Sequence, residues 1–155
     1  MGRRRSIRGL QQALLIEPPS FLSNSYRSPA MLQGIRFEKK IKKYIDTCYQ
    51  DAEILKGQWF QFEDIRGRGF AQPDIILLSP ESLIIVEVKL TWRPEVERKL
   101  RRLYGPLCSE IWPDLPQKHA QVCKGLRDNC PVENWFDIED MFNPENPSYV
   151  DVHFL

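Results

Sequence analysis

The chain has 155 residues and a mass of 18.3 kDa, enough for one domain, and 42% of its residues are hydrophobic. With 28% charged residues and a mean hydropathy of -0.44, the composition excludes a disordered polyelectrolyte and a membrane protein. The net charge of +1 hides an asymmetry, because residues 1–127 carry all 22 Lys and Arg residues and a net charge of +8, whereas residues 128–155 carry seven acidic residues. A polyanionic partner for the basic part is therefore plausible, and two solvated surfaces are the alternative.

No apolar run approaches the length of a membrane-spanning helix, and none follows the basic N-terminus as in a signal peptide. We therefore predict a cytoplasmic protein without a membrane partner. The cysteines form no CxxC pair, so reduced thiols are predicted. The alternative is a metal site, although its spacing matches no standard zinc pattern; it would use Cys108, His119, Cys123 and Cys130.

The chain divides into a basic, loosely ordered arm (residues 1–30), a core (residues 31–127) and an acidic C-terminal segment (residues 128–155), packed on the core or partly disordered. Within the arm, residues 10–16 suggest a short helix. Near-helical spacing of apolar residues predicts a helix over residues 32–54, ended by Gly57. The alternation in residues 58–62 then predicts a strand.

The second half of the core begins with a glycine-containing loop at residues 66–69, which we expect to be flexible. Two dense β runs follow, residues 73–78 and 83–90, and their short connection predicts a hairpin. An apolar stripe predicts a helix over residues 93–111, and a last strand is expected within residues 119–126. The predicted order is α-β-β-β-α-β.

The hairpin brings two acidic residues together. If it closes symmetrically, Leu78 faces Leu83 and Asp74 lies opposite Glu87, with Cβ atoms about 4.5–5.5 Å apart. Two like charges at that separation repel, and a divalent cation between them would turn the repulsion into ligation. Lys89 projects from the same face as Glu87. The alternative is that Glu87 and Lys89 are a solvent-facing pair that protects a sheet edge.

Pro73-Asp74, followed after twelve residues by Glu87-Val88-Lys89, resembles the motif of the PD-(D/E)XK nuclease superfamily. The resemblance implies an α/β fold with a restriction-endonuclease-like core, in which helices flank a mixed central sheet. It also implies a Mg²⁺- or Mn²⁺-dependent nuclease acting on DNA. Glu38, on the preceding helix, matches a further acid of that family, and the Val88 carbonyl is a further metal ligand by resemblance. For Glu38 the alternative is a helix-face ion pair.

The resemblance gives the candidate catalytic residues Asp74, Glu87, Lys89 and Glu38 distinct roles. The carboxylates would hold the cation, and Lys89 would orient the attacking water or stabilise charge in the transition state. Small relatives often act as dimers, so a homodimer is a further expectation. Basic side chains would hold the DNA backbone, or else form a solvated face: Arg66, Arg68, Arg98, Lys99, Arg102, Arg3, Arg4 and Arg5. The rival function is a non-catalytic DNA-binding or structural subunit that retains the fold.

Overall fold

A computed structural model describes residues 4–20, 27–125 and 130–154. The described residues form a mixed α/β fold with two sheets. The larger sheet has the strand order β2-β5-β6-β7-β9-β8, and its strands are β2 (Glu53–Lys56), β5 (Ile75–Leu78), β6 (Leu83–Thr91), β7 (Gln117–Gly125), β8 (Trp135–Phe136) and β9 (Tyr149–His153). The smaller, antiparallel sheet has the order β1-β3-β4 and consists of β1 (Gln12–Ile16), β3 (Trp59–Asp64) and β4 (Gly67–Ala71).

The larger sheet is mixed because its strands are connected in two ways. A short turn joins β5 to β6, and these strands are antiparallel. A helical crossover joins β6 to β7, and these strands are parallel, as expected for a connection long enough to return to the same end of the sheet. The next strand along, β9, is also parallel to β7.

One face of the larger sheet is covered by the helix α1 (Pro29–Cys48). Ser28 caps its N-terminus by accepting a hydrogen bond from the Met31 N–H. Phe37, Ile41 and Ile45 recur at helical spacing and are buried against the even-numbered residues of β6. The same core receives Ile138 and Met141 from a short 3₁₀ helix.

The opposite face is covered by the smaller sheet and by a second helical segment. That segment runs through α2 (Glu95–Lys99), a π-helical turn (Leu100–Tyr104) and α3 (Gly105–Ile111). Leu100, Leu103 and Leu107 pack against Leu83 and Ile85 of β6 and against Phe60 and Phe62 of β3. The second hydrophobic core therefore joins the two sheets.

The predicted hairpin is confirmed, including its register. Leu78 pairs with Leu83 and Ile75 pairs with Val86. The helices expected at residues 32–54 and 93–111 and the strand expected within residues 119–126 are also present, with shifted ends. Leu126 itself lies outside the described residues.

Three predictions are wrong. Residues 12–16 form the strand β1, not a helix, and pair with β3. The helix α1 ends at Cys48, well before Gly57, and residues 53–56 form the edge strand β2 beside β5. The loop that was expected to be flexible at residues 66–69 is part of the β3–β4 hairpin. The strand predicted at residues 58–62 is confirmed as β3, which belongs to the smaller sheet. Each error concerns a strand whose partner is distant in sequence or a turn between neighbouring strands.

The acidic C-terminal segment contributes to the larger sheet. Its strand β9 pairs with β7, and β8 pairs with β9. Val150 and Val152 of β9 are buried in the core beneath α1. None of the described helices is long and apolar enough to cross a membrane.

Candidate active site

Asp74 and Glu87 lie together at the end of the β5–β6 hairpin that is remote from its turn. The Asp74 N–H donates a hydrogen bond to Glu87 Oε1 at 3.1 Å, and the Val88 N–H donates one to Asp74 Oδ2 at 2.8 Å. Each carboxylate thus binds the backbone of the opposite strand. Asp74 Oδ1 and Glu87 Oε2 accept no hydrogen bond from the described residues, although every fully buried polar side-chain atom described has a partner.

The alternation of β6 places the charged side chains on one face. Leu83 and Ile85 pack in the core beneath α2 and α3, and Glu87 and Lys89 continue that face because they are two and four residues further along the strand. Val88 belongs to the opposite face and packs beneath α1. Its N–H points toward Asp74, and in a strand the carbonyl of the same residue points to the same side. The Val88 carbonyl therefore lies on the side of β6 where Asp74 sits.

The segment that carries Asp74 is held by its neighbours. The Gly57 N–H donates to the Asp74 carbonyl at 2.9 Å, and the Gln72 side chain donates to the Gly57 carbonyl at 3.0 Å. Gly57 has a φ of +62°, a backbone conformation that residues with a side chain rarely adopt. A Cβ at this position would also lie only 3.1 Å from Gln72 Nε2. The Tyr104 hydroxyl donates to the Gln72 carbonyl at 3.3 Å. These contacts fix Asp74 before β5 begins.

Burial raises the pKa of both carboxyl groups, and the charge of Glu87 adds to this effect at Asp74. Glu87 is 2% exposed, and burial raises its pKa above the usual value even though Lys99 and Lys89 lower it. Burial, followed by the charges of Glu87 and Glu38, raises the pKa of Asp74 to about 8. The Val88 N–H and Lys89 act in the opposite direction on the Asp74 pKa. A cation that binds near neutral pH would therefore displace a proton from Asp74.

Lys99, which was predicted to contact DNA, lies beside the carboxylate pair. Its Nζ is 3.9 Å from Glu87 Oε2 and 4.9 Å from the centre of the Tyr104 ring. Lys99 ends α2, and the π-helical turn begins at the next residue. Such turns are frequent at functional sites. Here the segment directs both Lys99 and Tyr104 toward the hairpin.

Glu38 does not join Asp74 and Glu87 in a three-carboxylate cluster. It forms an i,i+4 ion pair with Lys42 on α1 at 2.9 Å, which agrees with the alternative role stated for it, although its charge still acts on Asp74. Among the described residues, no three His, Cys, Asp or Glu side chains are placed to hold a metal ion. This finding also excludes a preformed site at Cys108, His119, Cys123 and Cys130.

The donor set nevertheless fits a magnesium or manganese ion. Mg²⁺ in enzymes commonly keeps several waters and is held by one or two carboxylates together with substrate phosphates. Asp74 and Glu87 supply two carboxylates, each with one oxygen free of hydrogen bonds within the described chain. The Val88 carbonyl adds a neutral oxygen on the same side of β6. All three are hard donors.

Two of the arginines expected to contact nucleic acid are bound within the protein. Arg4 and Arg66 both form ion pairs with Asp64, whose side chain is fully buried. Burial raises the pKa of Asp64, but hydrogen bonds from the Arg4 side chain and from the backbone N–H groups of Arg66 and Arg8 outweigh it and leave the pKa far below the usual value. This cluster fixes the start of the described chain against the β3–β4 hairpin.

The remaining predicted nucleic-acid contacts lie on different parts of the surface. Arg5 and Arg68 are exposed near the smaller sheet, and Arg98 and Arg102 are exposed on the second helical segment. Arg3 lies outside the described residues. None of these described side chains is brought to the carboxylate pair by a contact comparable to that of Lys99.

A buried glutamine positions the helical crossover and was missed from the sequence. Gln121 of β7 is fully buried beside Glu87 and bonds both backbone groups of Arg93, accepting from its N–H at 2.8 Å and donating to its carbonyl at 2.9 Å. The Gln121 side-chain amide also donates a hydrogen bond to the Tyr149 hydroxyl on β9 at 3.3 Å. A lone glutamine between Ala120 and Val122 was the available signal.

Comparisons of the chain with protein-family models, with curated proteins and with solved structures found no match.

Proposed function

We propose that this protein is a metal-dependent nuclease that hydrolyses phosphodiester bonds of DNA at Asp74 and Glu87. The observation that carries the proposal is the carboxylate pair at the open end of the hairpin: Glu87 is buried and Asp74 half-buried, and each has one oxygen that accepts no hydrogen bond from the described residues. Burying two like charges is costly, and a cation that the two share relieves that cost. The order of elements around the larger sheet (α1, β2, β5, β6, the helical crossover and β7) supports a restriction-endonuclease-like core.

In the proposed site, Asp74, Glu87 and the Val88 carbonyl would hold a Mg²⁺ or Mn²⁺ ion. When bound, such an ion lowers the pKa of water and neutralises charge on the phosphate. Lys89 lies on the face of Glu87 and lowers the pKa of both carboxyl groups, so its ammonium reaches the site electrostatically. It would stabilise negative charge developing on the phosphate oxygens.

Lys99 would favour the ionised form of Glu87 and so offset part of the effect of burial on that carboxyl group. It is 3.9 Å from Glu87 Oε2 and lowers the pKa of that carboxyl group. The Lys99 ammonium lies over the Tyr104 ring, and the Tyr104 hydroxyl donates a hydrogen bond to the Gln72 carbonyl. The carboxylate pair and the loop bearing Asp74 are thereby tied to the same helical segment.

A cleavage assay tests the proposal. The purified protein is incubated with Mg²⁺ or Mn²⁺ and with linear, nicked, single-stranded and branched DNA, and products are resolved on denaturing gels. The parent should cut at least one substrate, and Asp74→Asn and Glu87→Gln should bind DNA without cutting. Lys39→Gln, at an exposed position on α1, is the control and should cut like the parent. Cleavage by both carboxylate variants at the parental rate would refute the proposed site.

One observation favours a second candidate, a non-catalytic DNA-binding subunit. Within the described residues the acids do not form a group of three, and Glu38 is held by Lys42. A protein of this kind would bind DNA with or without a divalent cation. Its melting temperature would not respond to Mg²⁺ or Mn²⁺, whereas a nuclease with the proposed site is stabilised by either ion.

A further inference from the structure

A basic groove of about 630 Å³ lies outside the carboxylate site. It runs between the N-terminal half of α1 and the ends of β6, β7 and β9, and its lining includes Arg36, Phe37, Lys40, Leu90, Lys124 and Phe154. Three of its described lining residues are cationic and none is acidic. Arg36, Lys40 and Lys124 are exposed, and none was assigned a function from the sequence.

We propose that this groove binds a single strand of DNA that extends from the carboxylate pair. The inference rests on the proposed nuclease function in one respect, since it takes that pair as the place where the bound strand is cut. The proposed function names DNA as the substrate, and the groove narrows that substrate to single-stranded DNA.

Charge and continuity support this occupant. Leu90 and Thr91, which line the groove, directly follow Lys89 on β6. A strand rises about 3.3 Å per residue, so Thr91 lies roughly 13 Å beyond Glu87. Leu90 and Lys124 lie on the α1 face of the sheet, whereas Glu87 lies on the opposite face. A DNA strand leaving the carboxylate pair would therefore pass around the end of β6 at Thr91 before its phosphates meet Lys124 and Arg36.

The aromatic lining favours a single strand over a duplex. Phe154 packs edge-on against Tyr44, with ring centroids 5.1 Å apart, and also contacts Phe37. Lys40 lies 5.6 Å from the centre of the Phe154 ring. A cationic groove with an aromatic ring is the combination by which proteins hold single strands, because unpaired bases can stack while phosphates meet the cations. The paired bases of a duplex are stacked on one another and cannot use the ring.

Binding in EDTA tests the groove separately from cleavage. Fluorescence anisotropy is measured with the full chain and a labelled poly-dT strand of about 16 nucleotides at several salt concentrations. Arg36→Gln/Lys124→Gln should weaken binding about tenfold and reduce the slope of log affinity against log salt by about 1.4, since each phosphate contact of a single strand contributes about 0.7. Lys39→Gln/Lys43→Gln removes the same charge from α1 outside the groove and should leave the slope unchanged.

The aromatic contact has a different signature. Phe154→Leu should weaken binding about tenfold with the slope unchanged, because stacking releases no counterions. A thermal melt establishes that the variant is folded; if it is not, Lys40→Gln replaces it and should reduce the slope by about 0.7.

Three outcomes would overturn the groove. An equal loss of DNA affinity in the groove and control double variants would show only a general effect of charge. A loss of affinity confined to duplex DNA would exclude the single strand. Competition by inorganic phosphate as strong as that by poly-dT would indicate an anion site. The nuclease proposal fails separately. If Asp74→Asn cleaves like the parent while the groove variants bind poorly, the site of cleavage is wrong and the groove stands.

Discussion

Asp74 and Glu87 each accept a hydrogen bond from the strand on which the other lies, Glu87 from the Asp74 N–H and Asp74 from the Val88 N–H. These bonds fix the two carboxylates at the end of the hairpin, and the second oxygen of each accepts no hydrogen bond within the part of the chain that the structure describes. The resulting concentration of negative charge is the physical basis of the predictions on metal binding and pH that follow.

We expect Asp74→Asn to stabilise the metal-free protein at about pH 8 by on the order of 2 kcal/mol. Burial and Glu87 raise the pKa of Asp74 from 3.8 to about 8, so ionising this group opposes folding. The penalty is absent below pH 3.8, grows as the pH rises and is complete above about 8. Urea unfolding in EDTA should show the gain shrinking as the pH falls. A variant less stable than the parent at the higher pH would contradict this.

Binding of Mn²⁺ or Mg²⁺ should strengthen as the pH rises toward about 8, the pKa of Asp74. The cation must displace a proton from this carboxyl group, so affinity changes by up to about tenfold per pH unit below that pKa. Isothermal titration calorimetry in buffers of different ionisation enthalpy measures both the affinity and the protons released. Glu87→Gln should bind more weakly at every pH. Affinity that does not change with pH would argue against a cation on Asp74.

Lys89→Met should abolish most cleavage while keeping a metal site. An ammonium cannot ligate a cation, but its charge lowers the pKa of both Asp74 and Glu87. Without it, both pKa values rise and the pH dependence of metal binding moves to higher pH. The rate of DNA cleavage should fall by about 10²-fold or more at saturating metal. If metal binding is lost at all pH values while cleavage persists, Lys89 has been given the wrong role.

Arg4→Ala should destabilise the protein by about 3 kcal/mol at neutral pH, because it leaves a buried carboxylate short of a partner. The pKa of Asp64 is depressed, so this stabilisation is present above the ordinary pKa of Asp and is lost as the pH falls through the lower folded value. Arg5→Ala is the matched control because Arg5 is exposed. Thermal melts compare the two, and equal losses would show that the ion pair contributes nothing specific.

Gln121→Leu should cost about 2 kcal/mol, since the Arg93 N–H loses its partner and the Arg93 carbonyl keeps only the Val96 N–H, at 3.4 Å. Arg93 precedes α2, so the loss should also loosen the segment that carries Lys99. Hydrogen exchange of the Val96 amide reports that change. Unchanged exchange together with unchanged stability would mean that the glutamine does not anchor the crossover.

The local pattern of the chain was sufficient to predict the hairpin, its register and the facing acids. Leu83, Ile84 and Ile85 are apolar without interruption, a four-residue gap precedes them, and a shift by one residue would turn Glu87 to the opposite face of the sheet. Because strand pairing across a short turn is a local event, sequence spacing settles it. The contrast in charge between residues 1–127 and residues 128–155 was also evident from the sequence.

Contacts between distant segments decided the rest. Residues 12–16 are too few to distinguish a helix from a strand by period, and their pairing with β3 lies more than forty residues along the chain. Glu53 and Lys56 have good intrinsic helix propensity, yet pairing with β5 makes that segment a strand. Asp64 could not be recognised as the partner of Arg4, and the groove at Lys124 arises only where α1 meets the strand ends. Propensity acts within a few residues, whereas burial and pairing across the fold determine which conformation has the lower free energy.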